Sequence, residues 1–301
     1  MQRSRLEDKP SLRESVRALM RAASVETSVK DLAEIDSYAA LLPAGTEVYA
    51  TWLPSYPYHH LVSICSRLSR AGFRPVPHLA ARRLADRASA NDLLARLAGE
   101  AGVVQALVIA GDVDRPVGPY ADAAALMASG LLGQHGIRKV GLAGYPEGHP
   151  KISDSILADA LQKKIALAAN AGLEPYLVSQ FCFEAEAILS WLERLREAGV
   201  HTPVCIGLAG PAKVRTLINY GMRCGVGASL RAIRSHGISL TRLVAQTGPD
   251  SLVARLAGAG IAEPGKAVRL HFFSFGGLER TARWMAAAER GELDLNSSES
   301  A

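Results

Sequence analysis

The sequence predicts an α/β fold, a closed (β/α)8 barrel with one extra helix ahead of the first strand. Three observations carry that reading. Short apolar and β-branched runs alternate with amphipathic helical patterns along nearly all of the 301 residues. The alternation gives eight strand candidates, each followed by helix over connections of ordinary length, which favours a closed barrel over an open doubly wound sheet. No GxGxxG follows the first strand candidate, which counts against a dinucleotide-binding Rossmann unit. No Gly/Ser-rich linker or break in composition divides the chain, so residues 1–301 read as one domain, with 1–10 and 296–301 as flexible ends.

The elements follow in order. Ser11 to Met20 predicts the extra helix, because Leu12, Val16 and Leu19 share a face and Ser11 precedes Glu14 at capping-box spacing. Ala22–Ser28 is the first strand candidate, and a helix over Leu32–Leu42 is stopped by Pro43. Glu47–Leu53 is the second strand, closed by the prolines at 54 and 57, with a helix over His60–Arg70. Phe73–Leu79 begins the third. A helix over Arg82–Ala101 leads to the strand Val103–Ala110, and a helix over Ala121–Gln134 leads to the strand that starts near Val140. Ser153 caps a long helix reaching Ala171. Glu174–Gln180 and Pro203–Leu208 are strands flanking a helix over Ala185–Ala198. Pro211 marks a helix start, shorter helices fill 211–259, and Val268–Phe275 is the last strand.

Composition narrows the function classes. Hydrophobic residues make up 49% of the chain and the formal net charge is +5, spread over arginines in helical patterns. No dense Lys/Arg block alternates with aromatics, so a nucleic-acid surface is not expected. The positive bias either attracts an anionic ligand or serves solubility. Cys65, Cys182, Cys205 and Cys224 are far apart without a CxxC pair, which points to buried thiols in a reducing compartment and to no metal site. The charged N-terminus lacks a secretory apolar core, and no run approaches the roughly 18 apolar residues that cross a bilayer. A cytoplasmic protein without a membrane partner is expected.

A barrel places its active-site residues at the C-terminal ends of the strands. Those ends carry Glu26, Thr51, His78, Asp112, Tyr145, His149, Gln180 and Phe275. Polar groups of this number are costly to bury singly and form a pocket if they converge on one mouth. In Val140-Gly-Leu-Ala-Gly-Tyr-Pro-Glu-Gly-His-Pro150, a buried strand gives way to glycines and polar side chains. An extended backbone there would aim Tyr145, Glu147 and His149 the same way.

Pro77-His-Leu79, Gly111-Asp112, Ala143-Gly-Tyr-Pro-Glu-Gly-His-Pro150 and Ser179-Gln-Phe-Cys-Phe183 resemble, in order and with similar spacing, landmarks of the methylenetetrahydrofolate reductases. The family's counterparts read PHL, RGD, A-x-YPE-x-HP and TQ-F-x-F. Leu270-His-Phe-Phe-Ser-Phe275 also resembles its last strand. The resemblance runs from residue 22 to about 290, and it implies a flavin-containing barrel that reduces 5,10-methylenetetrahydrofolate to 5-methyltetrahydrofolate with NADH or NADPH.

Carried over by residue, the resemblance makes Glu26 the general acid that protonates the leaving N10. A half-buried carboxyl is expected to keep its proton to higher pH, which suits that task. Asp112 matches the aspartate between flavin and folate, where its charge favours a cationic iminium. Gln180 matches the glutamine that bonds the pterin, and Tyr220 and Phe275 the positions that sandwich NADH or folate. Thr51, His78, Gly111, Asp112, Tyr120, Ala121, Ala143, Tyr145, His149 and Lys164 fall on positions that contact FAD.

The chain departs from the pattern at several places, among them residues near the second helix and a longer stretch before Gln180, Asn170 to Pro175. The arginine of RGD is Ala110, and the usual FEFFPP at the first strand is Val25-Glu-Thr-Ser-Val-Lys30. The expected reaction is ping-pong, with hydride passing from NAD(P)H to FAD and then to folate. A flavin-free reductase passing hydride directly from NADH to folate, a pterin-binding barrel methyltransferase and a non-catalytic folate-binding protein are the alternatives. No arginine cluster selects NADPH over NADH, and a homo-oligomer is allowed.

Overall fold

The structure, a computed structural model, describes residues 10–38, 40–226, 246–263 and 265–293. Eight parallel strands close into one barrel: β1 (Ser24–Ser28), β2 (Glu47–Thr51), β3 (Arg74–Ala80), β4 (Gln105–Ile109), β5 (Lys139–Gly144), β6 (Glu174–Ser179), β7 (Val204–Ala209) and β8 (Val268–Phe273). Each strand pairs with its sequence neighbours, and β1 closes the ring against β8. The expected (β/α)8 barrel is therefore what the chain forms. The register sets Glu26 beside Tyr49 and Ser24 beside His271.

The extra helix α1 spans Leu12–Arg21 and starts with the predicted capping box between Ser11 and Glu14. Its buried face of Val16, Leu19 and Met20 packs on helices Asp250–Gly258 and Leu278–Arg290. Several helices are shorter than the periodicity predicts. The stretch expected as a helix over Leu32–Leu42 is a 3₁₀ turn, Val29–Glu34, followed by the single turn Ile35–Tyr38. A second capping box, Ser28 with Asp31, starts that turn early. The helix expected from Arg82 begins only at Arg87, where the Asp86 carboxylate accepts from Ser89 N at 2.7 Å.

Ala121–Gln134 is broken into Ala123–Ala128 and Leu131–Gln134 by Gly130 at φ 75°. Pro211 does not start a helix. Ala212–Lys213 instead pairs antiparallel with Gln246–Thr247, and the helix runs over Val214–Cys224. The expected flexible ends at 1–9 and 296–301, and the part of the expected short helices within 227–245, lie outside the described residues.

Inward-facing side chains fill the barrel in layers, as alternation along each strand requires. At the N-terminal end the buried Glu47 carboxylate meets Arg74 at 3.1 Å and Arg269 at 3.2 Å, with Gln105 donating at 3.4 Å. Above that, Tyr49, Val76, Leu107, Tyr176, Val178 and Cys205 form an apolar plug. Tyr49 and Tyr176 join their hydroxyls at 3.1 Å, which satisfies polar groups that burial would otherwise penalise. The plug leaves only the C-terminal mouth open to chemistry.

Candidate active site

Glu26 on β1 stands at the centre of that mouth. Its Oε1 accepts a 2.8 Å hydrogen bond from Thr51 Oγ1 at the end of β2. Its Oε2 lies 3.7 Å from His78 Nε2 on β3 and 3.7 Å from His271 Nε2 on β8. Those three atoms are buried and have no hydrogen-bond partner among the described residues. The ring of His271 is fixed from behind, with Nδ1 3.0 Å from Ser24 Oγ and the Tyr49 ring at 4.4 Å between centroids. Ser274 Oγ donates to the Glu26 carbonyl oxygen and ties β8 to β1 above the site.

The electrostatics of this cluster correct the expectation of a raised carboxyl. Burial pushes Glu26 up, but the approach of His271, the charges of His78 and His271 and the Thr51 hydrogen bond together bring it below the ordinary glutamate value. Burial pulls His78 down, with Glu26 opposing. Without a ligand, the cluster at neutral pH therefore holds an ionised carboxylate beside a neutral His78.

A second group of residues forms an aromatic wall. Phe181 meets Phe273, Phe275 and Phe183 edge-on with centroids 5.5, 4.8 and 5.6 Å apart. Tyr220 stacks on Phe275 at 4.1 Å and 15°, so the two residues expected to flank a ligand are in contact with each other. Phe273 in turn meets His271 at 5.0 Å. The wall thus descends from the rim to the acid. Gln180 stands at the end of β6, where its Oε1 accepts from Phe181 N at 3.1 Å and its amide nitrogen has no partner among the described residues.

The loop after β5 is a turn rather than an extended continuation. Gly148, at φ 75°, donates its N–H to Tyr145 O at 3.1 Å. The turn brings the Tyr145 and His149 rings edge-to-face at 5.4 Å and sends Glu147 elsewhere. The Cys182 thiol donates to Glu147 Oε1 at 3.0 Å. The two sequence landmarks around Glu147 and Cys182 are therefore joined by a buried side-chain contact. Burial raises the Tyr145 hydroxyl.

The remaining residues expected at FAD are spread over several elements. Ala143 is half-buried on β5. Tyr120 is buried and belongs to the main hydrophobic cluster. Ala121 is exposed, and its carbonyl accepts from Arg82 Nε at 2.7 Å. Gly111 takes φ 95°, and a Cβ there would come within 3.1 Å of Ala80 Cβ, so Asp112 follows a tight exit from β4. Asp112 itself is exposed and acts on Arg83, whose guanidinium burial weakens. Lys164 sits half-buried on helix Asp154–Asn170, where burial lowers its proton affinity and Asp122 opposes.

A flavin dinucleotide carries a pyrophosphate that needs cations or backbone N–H groups. Residue 110 is alanine, and the two arginines after β3 are committed to backbone carbonyls. Arg82 also reaches Val113 O at 3.3 Å. Arg83 donates to Trp52 O, Pro54 O and Tyr56 O at 2.8 to 3.0 Å and stacks 4.1 Å over the Trp52 ring. Of the residues expected at FAD, the half-buried Lys164 is then the cation left to face a pyrophosphate among the described residues.

His271, Ser24, Phe181 and Phe273 were not among the residues the sequence singled out. His271 lies inside the apolar run Leu270–Phe273 and reads as core. The signal that could have found it is period-two alternation, which places it on the same inward face as Phe273. Among the described residues no group of three or more His, Cys, Asp or Glu could hold a metal ion, and no helix is long and apolar enough to cross a membrane.

Comparison with known proteins gives a family and a fold. A profile of the family described as methylenetetrahydrofolate reductase matches residues 59–220, more than half of the chain. Methylenetetrahydrofolate reductase 1 of Schizosaccharomyces pombe is 29% identical over 69 residues, 23% of this chain and 11% of the yeast protein, so the chain matches only a small part of that relative.

Among solved structures, an uncharacterized Clostridium thermocellum protein that binds two copies of 5-methyl-5,6,7,8-tetrahydrofolic acid superposes with a TM-score of 0.56. It is 9% identical and the match covers 93% of this chain and 98% of the other, a likeness of fold alone. Dihydropteroate synthase from Thermus thermophilus is 18% identical at a TM-score of 0.45, over 88% of this chain and 90% of its own. On the profile match, the chain belongs to the methylenetetrahydrofolate reductase family.

Proposed function

We propose that the chain reduces 5,10-methylenetetrahydrofolate to 5-methyltetrahydrofolate with a hydride from NADH or NADPH. The observation that carries this is Glu26, an acid held between two histidines at the bottom of an aromatic-walled mouth. Opening the imidazolidine ring requires a proton on N10, which leaves as an amine while the methylene carbon becomes an N5 iminium. Folate seated over the mouth removes water from Glu26 and favours its neutral form, which is the donor the step needs. The Gln180 amide nitrogen, without a partner among the described residues, can bond the pterin edge, and Phe181, Phe273, Phe275 and Tyr220 supply flat apolar contact. For a ring to enter between Tyr220 and Phe275, their 4.1 Å stack has to open.

The family's ping-pong route through FAD is the expectation from resemblance. Ala110, the committed donors of Arg82 and Arg83 and the buried Tyr120 favour the other route, in which the nicotinamide C4 hydride passes directly to the iminium carbon. The hydride completes the methyl group, and one proton from solvent is consumed per turnover. Asp112, exposed at the rim, is assigned to favouring the cationic iminium.

Deuterated NADH separates the routes. Direct transfer places the label in the product methyl group with a colourless protein. A yellow protein that NADH bleaches, and whose product has lost the label to solvent through an exchangeable flavin N–H, would restore the FAD route. NADH that is never oxidised in the presence of the folate would overturn the reductase reading.

A further inference from the structure

We propose that His271, pinned by Ser24, is the positioning residue through which Glu26 receives the proton it passes to N10. This rests on the reductase reading for its final step, though not for the arrangement of protons. Three buried atoms, Glu26 Oε2, His78 Nε2 and His271 Nε2, lack partners among the described residues. Both nitrogens stand 3.7 Å from the same oxygen, about 0.7 Å beyond a normal hydrogen bond. Polar atoms this deep are normally satisfied, so a set of three facing one another marks a place where a proton is exchanged rather than fixed.

The bonding behind His271 selects which nitrogen exchanges. Ser24 Oγ lies 3.0 Å from Nδ1 and 3.5 Å from Leu270 O. A hydroxyl can give its one proton to the carbonyl and accept from Nδ1–H, which keeps a proton on Nδ1 in both charge states. Nε2 is then the nitrogen that gains and loses a proton, and it faces Glu26. When folate covers the mouth, separated charges become costly, and the Nε2 proton moves to Oε2. His271 is left neutral with Nδ1–H, and Glu26 is left as a carboxylic acid. Glu26 then gives that proton to N10 as the C–N10 bond breaks, and solvent reloads Nε2 after product leaves.

His78 plays a different part. No described hydroxyl or carbonyl pins its ring, and it is the partner whose basicity burial reduces. The other groups facing Glu26 are Thr51 and Tyr49 from β2, Ser274 beyond β8, and Cys224 at the end of helix Val214–Cys224, which senses the Glu26 charge.

The test combines imidazole nitrogen NMR with kinetics on the full chain. In the free protein, His271 should keep a proton on Nδ1, and Ser24→Ala should release that preference. His271→Gln should lower the folate-dependent rate about 10- to 100-fold and displace its pH profile, with NADH affinity unchanged. Ser24→Ala should do the same more weakly without altering the ring itself. An Nε2–H neutral tautomer in the wild type, or a pH profile that neither variant moves, would overturn the proposal. If His271→Gln does not fold, Ser24→Ala and the wild-type tautomer still decide it. A chain that turns over no folate overturns the reductase reading instead, and the nitrogen shifts still report where the proton sits.

Discussion

Replacing Glu26 with Gln is the perturbation that best separates a working acid from a structural one. Gln keeps the Oε1 acceptor for Thr51 and adds an amide nitrogen where Oε2 had no partner. That nitrogen can donate to an imidazole Nε2, a gain of about 0.5–1.5 kcal/mol per bond formed. What is lost is the attraction between the carboxylate and His271, with little from His78, which burial keeps neutral. The desolvation cost of the charge is lost as well.

These contributions are of similar size and opposite sign, so the net change in stability is expected within about 1 kcal/mol. For a chain of 301 residues that is about 1–2 °C in melting temperature. The folate-dependent rate should fall by about 10²–10⁴, the usual contribution of a positioned general acid. Thermal unfolding and NADH oxidation with folate, measured on the same preparation, give both numbers. A variant that melts more than about 5 °C lower, or one that keeps its folate-dependent rate, would refute the assignment.

The opposite pattern is expected at the other end of the barrel. Glu47→Gln removes the charge shared by Arg74 and Arg269, whose side chains are 65% and 32% exposed. That exposure reduces the roughly 3–5 kcal/mol of a broken buried pair to about 1–2 kcal/mol. The melting temperature should drop by a few degrees while the folate-dependent rate holds, read by the same two assays. Acidification supplies a third prediction. His78 is held below its ordinary value of 6.5, so the unfolded chain binds more protons and stability is lost as pH falls from 6.5 towards the folded value. Glu26, also depressed, adds a further loss below its ordinary 4.5. His78→Gln should flatten the upper part of that decline in denaturant melts and shrink the lower part, because the His78 charge is one cause of the Glu26 depression.

The barrel was legible because each strand is an apolar run ended by glycine, proline or polar residues, and that pattern survives without tertiary information. The helices were less legible. Gly130, Asp86 and the Ser28–Asp31 box override periodicity with caps and breaks that compete locally with the helix. Thr51 was found because it ends β2, and Glu26 and His78, which lie inside β1 and β3, because a polar side chain is conspicuous in a short strand. His271 was hidden for the opposite reason. It occupies mid-strand, flanked by Leu270 and Phe272, and only closure of β8 onto β1 shows that an apolar run faces an acid. Tyr120 was assigned by resemblance, but its surroundings are set by packing from several elements, which a linear match does not report.

That closure also explains why the two charged centres of the molecule do not merge. Along β2 the inward positions run Glu47, Tyr49, Thr51, and along β8 they run Arg269, His271, Phe273. Each strand therefore carries a charge partner at the N-terminal end and a site residue nearer the mouth, two or four positions away. Tyr49 lies between the levels: its hydroxyl meets Tyr176 in the plug, and its ring packs 4.4 Å from His271. The rings keep the two centres a level apart, and Glu47 is matched within its own level by Arg74 and Arg269. Substitution at one centre should therefore leave the other unchanged, and a double variant of Glu47 and Glu26 should show additive effects on stability. A coupling above about 0.5 kcal/mol would mean the plug transmits charge or strain between the levels, and that separation could no longer account for an acid poised at the mouth.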